Sequence, residues 1–309
     1  MSQAIVPLQI LKSLSDAIAE LVGKVAPSVV SVSSVMHGHR GRGTGVIWNN
    51  DGHIVTCSHV IGRPDAVKIG LVDGGSFDAK VVGQDPYSDV ALLKIKGNSF
   101  KPIELGDSEN LKVGQFVIAL AKPFRIQPGA TSGTITSVGV SLRSWRGMTM
   151  ESLIVTDARL NPGYSGGPLV DVSGRMIGLN TAYIWSRGIA VPINAVKDIA
   201  ERLAREGKVK RAYLGVTSST IPLPQDIATQ AEVKQDGGVI VLSVETNSPA
   251  KKAGLTLGDI IVKFDEKPVT SVYDLPRLLT EEAIGKETKL SILRGEKLKE
   301  LTITPKARE

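Results

Sequence analysis

Apolar side chains near the start of the chain recur at the spacing of an α-helix. They return every three or four residues, with charged residues mostly opposite, so residues 1–27 are predicted to form an amphipathic helix ended by Pro27. Such a helix must cover a surface, either on its own domain or on a neighbouring subunit. The apolar positions are Leu8, Leu11, Leu14, Ile18, Leu21, Val22 and Val25.

From Val29 to Val191 the pattern changes to short β-branched runs separated by Gly, Asn, Asp and Pro. Many short strands with turns between them and almost no helix indicate a β-sandwich or β-barrels. A helix follows, with Asn194 as predicted N-cap and Gly207 as C-terminal stop. We therefore predict a mainly β domain over residues 28–207.

Residues 208–212 read as a linker to a second, α+β domain over residues 213–306. Ser248 and Pro249 predict an N-cap followed by proline at the first helical position. A second helix is predicted over residues 272–283, where Leu275, Leu278 and Leu279 share one side.

Composition narrows the classes of function that need to be considered. A length of 309 residues favours about two domains, and the single cysteine, Cys57, cannot form an internal disulfide. The net charge is +6, but the densest basic cluster, at Lys208, Lys210 and Arg211, lacks interleaved aromatic residues. A nucleic-acid partner is therefore not expected.

No apolar run reaches the roughly 18 residues that a membrane-spanning helix requires. Lys12, Asp16 and Glu20 interrupt the apolar pattern at the start of the chain, and no basic segment precedes it, unlike in a signal peptide. These features predict a cytoplasmic protein without an integral membrane segment. A chain from which an anchor had been removed would have the same pattern and would be exported.

A serine surrounded by glycines is the clearest chemical signal. Ser165 lies in residues 161–169 (NPGYSGGPL), where the glycines permit a tight turn whose N–H groups converge on one point. A serine nucleophile needs a base oriented by a third group. His59 follows a predicted strand and Asp89 precedes another, which gives the chain order His, Asp, Ser of the chymotrypsin architecture. The fold prediction is therefore a chymotrypsin-like double β-barrel followed by an α+β domain.

The motifs around these residues resemble the HtrA (Deg) family of serine proteases with one C-terminal PDZ domain. They are residues 54–60 (IVTCSHV), 88–95 (SDVALLKI) and 157–169 (DARLNPGYSGGPL). The resemblance implies that Ser165 is the nucleophile, His59 the general base and acid, and Asp89 the residue that orients His59. It also implies an oxyanion hole formed by the backbone N–H groups of Gly163 and Ser165.

The same resemblance implies a specificity pocket and a peptide groove. Ile189, Ala190 and Val191 match the family's pocket segment, and Ile189 would restrict the residue before the cut bond to a small or medium aliphatic one. In the PDZ domain, the backbone of residues 214–216 would capture a peptide carboxylate while the peptide adds to an exposed strand. The proposed groove residues are Leu214, Gly215, Val216, Leu275 and Leu279.

The implied function is ATP-independent degradation of unfolded or damaged proteins in protein quality control. No P-loop motif is present, and no cofactor is expected. A bound metal is not expected either, because His37 and His39 are the only potential ligands between residues 36 and 43. The implied partners are unfolded polypeptides, peptide C-termini and further copies of the chain, most simply in a trimer.

Two departures from the family pattern bear on loop regulation and resting activity, and the first of them leaves an alternative function open. Tyr164 stands where the family most often has Asn, and residues 122–125 (KPFR) replace a stretch that normally contains Gly-Asn-Pro-Phe-Gly. A bulky ring beside Ser165 could alter the oxyanion loop. The alternative function is therefore a protease-silent, PDZ-containing holdase chaperone.

Overall fold

The computed structural model describes residues 5–36, 39–62, 66–122, 128–143, 149–184, 186–223, 228–229, 235–271, 274–295 and 297–307. The chain divides into two compact units, Met1–Val209 and Lys210–Glu309. Residues 123–125 of the unusual KPFR stretch, His37 and the start of the helix predicted at 272 lie outside the described residues.

The first unit contains two closed antiparallel barrels of six strands each. The first barrel consists of β1 (Val29–Met36), β2 (His39–Ile47), β3 (His53–Cys57), β4 (Ala66–Gly70), β5 (Ser76–Asp85) and β6 (Val90–Ile95). The second consists of β7 (Phe116–Ala121), β8 (Gly129–Arg143), β9 (Thr149–Thr156), β10 (Pro168–Val170), β11 (Met176–Ile184) and β12 (Arg187–Pro192). Closure pairs every strand on both sides and removes exposed sheet edges. The predicted double-barrel fold is confirmed.

Helix α1 (Ile5–Val25) leads through a 3₁₀ turn (Ala26–Ser28) into the first barrel. Its C-terminal half packs on the apolar core through Ile18, Leu21, Val22 and Val25. Its N-terminal half exposes apolar side chains to solvent, since Leu8, Leu11 and Leu14 are 69%, 63% and 54% exposed. None of the helices in the described part of the chain has the length and apolar character needed to cross a membrane.

A short helix, α2 (Ser58–Ile61), follows β3, and α3 (Ile193–Glu206) closes the first unit. Gly207 ends α3 in the left-handed conformation, as predicted. The predicted N-cap at Asn194 is wrong, because the helix begins at Ile193, two residues earlier than predicted, and Pro192 occupies the cap position. The Asn194 amide instead donates to Asp107 Oδ1 at 2.8 Å, which ties α3 to a neighbouring loop.

The second unit is built on an antiparallel sheet in the order β14-β15-β16-β18-β19, with β17 beside β16. Ser248 caps a short helix by accepting a hydrogen bond from the Lys251 N–H, as predicted. The helix predicted over 272–283 is shorter, because a 3₁₀ turn (Glu281–Ala283) replaces its end. The elements are β13 (Ala212–Tyr213), β14 (Val216–Pro222), β15 (Gly237–Val244), α4 (Pro249–Lys252), β16 (Ile260–Phe264), β17 (Lys267–Pro268), α5 (Asp274–Leu278), β18 (Thr288–Arg294), β19 (Lys297–Ile303) and β20 (Lys306–Ala307).

Candidate active site

The first barrel places His59 and Asp89 in direct contact. His59 lies on α2 at the end of β3, and Asp89 directly precedes β6, the strand that pairs with β3. His59 Nδ1 is 2.7 Å from Asp89 Oδ2, and the His59 backbone N–H donates to Asp89 Oδ1 at 2.9 Å. Both carboxylate oxygens thus hold the histidine, which leaves its Nε2 as the ring nitrogen available for proton transfer.

Asp89 has a backbone conformation that is rare for a residue other than glycine, with φ +58°. Its carbonyl accepts a hydrogen bond from the Ser58 N–H at 3.0 Å, which holds this turn against the start of α2. Residues in such conformations cost energy and persist where the surrounding structure holds them, often at functional sites. Here the turn directs the buried carboxylate at His59.

The second barrel contributes Ser165, in the loop before β10. Ser165 Oγ donates to the carbonyl oxygen of Thr181 at 2.8 Å, and among the described residues it makes no hydrogen bond to His59. Catalytic hydrogen bonds are often absent or long without substrate and tighten when it binds. Turning the Ser165 side chain about one bond would redirect its hydroxyl.

Thr181, on β11, contacts both halves of this arrangement. Its hydroxyl donates to Asp89 Oδ2, while its carbonyl accepts from Ser165. Sequence reasoning missed this residue, because a threonine in a buried strand carries no spacing signal that points to Asp89, 92 residues earlier.

The loop containing Ser165 leaves two backbone donors free. Tyr164, Gly166 and Gly167 donate their N–H groups to the carbonyls of Asn161, Asn180 and Tyr164, respectively. Within the described residues, no group accepts from the N–H of Gly163 or of Ser165. Gly163 has φ +93°, a conformation that glycine adopts without strain. Two unpaired N–H groups beside a serine hydroxyl are what an oxyanion hole requires.

The ring of Tyr164 lies in the core of the second barrel, where the side chain is 6% exposed. Burial raises the pKa of the Tyr164 hydroxyl, which hydrogen-bonds to Thr131. A Cβ placed on Gly129 would lie 3.2 Å from this hydroxyl oxygen, so the ring fits under the first residues of β8. The buried side chain therefore anchors the loop to the core of the second barrel. A ring held there gives no reason to expect that it alters the N–H groups of Gly163 and Ser165.

The segment predicted to form the specificity pocket lies on β12, which pairs with β9 and β11. Ile189, Ala190 and Val191 are all buried in the apolar core of the first unit. A Cβ on Gly188 would lie 2.7 Å from the Ala158 carbonyl, so β12 runs directly beside the segment that leads to Ser165. Their role in specificity remains a prediction.

Cys57, His59 and Asp89 present ligand atoms within 4.8 Å of one another, the spacing at which a metal ion could be held. His59 and Asp89 are already paired with each other. Burial, reinforced by the charge of Asp89, raises the pKa of the Cys57 thiol well above its ordinary value, so the thiol stays protonated. Because His59 Nδ1 and the Asp89 carboxylate already bind each other, we assign no metal to this cluster.

In the second unit, β14 lies at the end of the sheet, and no described strand pairs with its outer edge. Just before it, no described group accepts from the N–H groups of Leu214 or Gly215. The Leu214 and Leu275 side chains pack in the core of this unit, whereas Leu279 is half-buried. The predicted groove therefore has an open strand edge beginning at Val216 and two free donors beside it.

Two family models match the chain, the trypsin-like peptidase domain over residues 43–179 and the PDZ domain over residues 225–304. The solved structure of the HtrA-type protease AlgW with a tripeptide covers 94% of this chain and 97% of its own, with a TM-score of 0.82 and 29% identity.

Curated relatives include a probable periplasmic DegP-like serine endoprotease of Pseudomonas putida (strain W619). It is 35% identical over 268 residues, which are 85% of this chain and 55% of the relative. The chain thus spans about half the length of such relatives. The chloroplastic protease Do-like 1 of Arabidopsis thaliana is 36% identical over 322 residues, 93% of this chain and 71% of that protein.

These relatives correct the predicted localisation. Those from Pseudomonas and Halomonas are named as periplasmic, so the expectation of a cytoplasmic protein is wrong. The pattern of charged and apolar residues at the start of the chain was an insufficient basis for predicting the localisation. The Arabidopsis relative matches over most of its own length, and both family models agree with the two units of the fold. The chain belongs to the HtrA (Deg) family of serine proteases.

Proposed function

We propose that the chain is an ATP-independent serine endopeptidase that degrades unfolded or damaged proteins outside the cytoplasm. The observation that carries the proposal is a pair of N–H groups, at Gly163 and Ser165, that have no acceptor within the described residues. The Ser165 hydroxyl is linked through Thr181 to Asp89, the carboxylate that holds His59. The protease-silent chaperone is not favoured, because its basis was the ring of Tyr164, which is buried in the barrel core.

In the proposed reaction, Ser165 Oγ turns from the Thr181 carbonyl to His59 Nε2, gives up its proton there and attacks the peptide carbonyl. The negative charge that develops on the carbonyl oxygen is stabilised by the N–H groups of Gly163 and Ser165. His59 then protonates the leaving amine, and a water molecule activated by His59 releases the acyl group. Asp89 keeps Nδ1 protonated and stabilises the imidazolium.

Degradation of β-casein, an unfolded substrate, tests this proposal. The unaltered chain is expected to degrade casein without ATP, and Ser165→Ala is expected to abolish degradation. If neither chain cleaves, the assay is repeated with a peptide ending in a free hydrophobic C-terminus. Absence of cleavage there as well, with the fold intact, would overturn the proposal.

We propose that the second unit binds peptide C-termini along β14, with the carboxylate on the N–H groups of residues 214–216. The open edge of β14 and the two free donors support this assignment. Calorimetric titration of the Ser165→Ala chain with a hydrophobic peptide tests it. Binding is expected for the free carboxylate and not for the C-terminally amidated peptide. Equal binding of the two would exclude carboxylate capture.

We further propose a homo-trimer built through α1, whose N-terminal half exposes Leu8, Leu11 and Leu14. Burying each leucine contributes about 1.5–3 kcal/mol, so this stripe favours association. The domain limits stay as proposed from the sequence, with a protease domain over 28–207 and a PDZ domain over 213–306. The small aliphatic preference assigned to Ile189, Ala190 and Val191 is also a proposal, tested by sequencing the casein fragments.

A further inference from the structure

Thr44, on β2 of the first barrel, binds two peptide groups of the loop that carries Ser165. Its hydroxyl donates to the Gly163 carbonyl at 2.7 Å, and its backbone N–H donates to the Ser165 carbonyl at 2.9 Å. Thr44 is fully buried. One residue of the first barrel thus holds the loop on both sides of Tyr164.

The direction of the Thr44 hydroxyl is fixed by a second partner. The backbone N–H of Lys122, which directly follows β7, donates to Thr44 Oγ1 at 2.8 Å. A threonine hydroxyl has one proton, and its oxygen already accepts from Lys122. The proton is therefore directed at the Gly163 carbonyl.

Thr44 and Asn161 together hold the peptide group between Gly163 and Tyr164 at both ends. The Gly163 carbonyl accepts from Thr44, and the Tyr164 N–H donates to the Asn161 carbonyl at 3.0 Å. The next carbonyl, of Tyr164, accepts from the Gly167 N–H at 2.9 Å. With these groups engaged, the N–H groups of Gly163 and Ser165 have no acceptor in the part of the chain that the structure describes.

Glycines on both sides make this approach of the two barrels possible. A Cβ on Gly43 would lie 2.9 Å from the Ser165 carbonyl oxygen, and one on Gly166 would lie 2.0 Å from that of Thr44. Side chains at either position would push β2 and the loop apart. The main chains of β2 and the loop therefore approach each other directly, and the Thr44 hydroxyl adds a side-chain hydrogen bond to this contact.

We propose that Thr44 is a positioning residue for the oxyanion hole, an inference that rests on the proposed peptidase activity. The hydrogen bonds that Thr44 donates to this loop go to the backbone carbonyls of Gly163 and Ser165. Thr44 sets the orientation of the Gly163 peptide groups before substrate arrives, so its hydroxyl affects the transition state more than substrate binding. Losing a whole oxyanion donor costs about 10²–10³ in rate, so we expect Thr44→Val to lower kcat by about 10- to 100-fold with KM nearly unchanged.

The test measures kcat and KM with an internally quenched peptide whose sequence is taken from a casein fragment boundary. Thr44→Val removes the hydroxyl at nearly equal volume, and Thr44→Ser restores it. The matched control is Thr156→Val, since Thr156 Oγ1 also donates to a backbone carbonyl (Thr134, 2.7 Å) and accepts from a backbone N–H (Ala158, 3.1 Å). We expect the control to lose stability without a comparable loss of kcat, and Thr44→Ser to recover most of the activity.

A peptide boronic acid, which adds to Ser165 as a transition-state analogue, supplies a second measurement. Its affinity is expected to fall with kcat in Thr44→Val, while a cleaved product peptide binds as to the unaltered chain. Unaltered kcat, failure of Thr44→Ser to restore it, or equal losses of boronate and product affinity would overturn the inference. If Thr44→Val does not fold, the kcat and affinities of Thr44→Ala are compared with those of Thr44→Ser instead. An unaltered chain that cleaves nothing contradicts the proposed function instead, and the two failures are thereby distinguished.

Discussion

The Thr181 hydroxyl donates a hydrogen bond to Oδ2 of Asp89, the same oxygen that lies 2.7 Å from Nδ1 of His59. The carbonyl of Thr181 accepts from Ser165 Oγ. One residue of the second barrel therefore contacts the carboxylate of Asp89 and holds the hydroxyl of Ser165, the proposed nucleophile. The proposed catalytic groups of the two barrels are linked through this strand residue.

Replacing Thr181 by valine is expected to lower kcat while leaving the fold intact. A hydrogen bond to a charged group contributes about 1.5–3 kcal/mol, which corresponds to a loss of about 10- to 150-fold in rate at 1.36 kcal/mol per factor of ten. Steady-state cleavage of the quenched peptide measures the effect. Thr181→Ser keeps the hydroxyl and is expected to retain most of the activity, and a serine variant as slow as the valine variant would contradict this role for the hydroxyl.

Gly163→Ala is expected to lower kcat by about 10²–10³, the cost of losing one oxyanion donor. Gly163 has φ +93°, and an L-residue in the left-handed region costs about 1–2 kcal/mol, so alanine would turn the N–H away from its direction. Gly114→Ala is the matched control, because Gly114 has φ +90° with nothing within 4 Å of an added Cβ. The control is expected to lose similar stability and keep its kcat. Equal kcat values for the two variants would exclude Gly163 as a donor.

The double barrel could be predicted, and His59, Asp89 and Ser165 could be singled out as candidate site residues, because each carried a local signal. His59 and Asp89 stand at strand ends, and Ser165 lies among glycines that a tight loop requires. The hydroxyl contacts of Thr44 and Thr181 gave no such signal. The Thr44 hydroxyl contacts a residue 119 positions away in the chain, and the Thr181 hydroxyl contacts one 92 positions away. Buried threonines are also common in strands, so neither residue stands out.

Tyr164 and Asn194 show a second limit of sequence reasoning. It concerns the direction in which a side chain points rather than the position of the residue in the chain. The sequence places a bulky ring beside Ser165 but does not say whether the ring points to the cleft or into the barrel. Asn194 has the chemistry of an N-cap, yet Asp107 and Ser108 offer its side chain other partners, and Pro192 occupies the cap position. In both cases tertiary contacts decided between conformations that the local sequence allowed.

The exposed stripe of α1 predicts that polar substitutions there change the oligomeric state. Leu11→Gln combined with Leu14→Gln removes apolar area from the half of the helix that contacts no other described part of the core. Size-exclusion chromatography with light scattering is expected to show a mass of three chains before the change and 32.8 kDa after it. Lys12→Gln, on the same helix, is the control and should leave the mass unaltered. A double variant that keeps the larger mass would place the interface elsewhere.

The final prediction concerns the acid stability of the second unit, which depends on the buried carboxylate of Asp259. Burial alone raises the pKa of this group, but hydrogen bonds from Arg294 and Thr256 outweigh it and hold the pKa below its usual value. Arg294 Nε and Nη2 each donate to Asp259 at 2.8 Å, as does the Thr256 N–H. Because the pKa is lower in the folded state, the stabilisation is complete above the unfolded value of about 3.9 and is lost as pH falls through the folded pKa.

Calorimetry between pH 6 and pH 2 should therefore show the melting temperature of the second unit falling towards acid. Tryptophan fluorescence identifies the transition of the first unit, because all three tryptophans of the sequence precede Lys210, the first residue of the second unit. Asp259→Asn is expected to destabilise the second unit at pH 7 by about 1–3 kcal/mol and to weaken its pH dependence. Some pH dependence of the melting temperature remains because of Asp274. Burial raises the pKa of its carboxyl, but hydrogen bonds from Thr270 and Ser271 outweigh burial and lower this pKa. Asp265→Asn removes an exposed carboxylate 3.8 Å from Lys286 and serves as the control, with little change expected. An Asp259→Asn chain with the melting profile of the control would contradict this account.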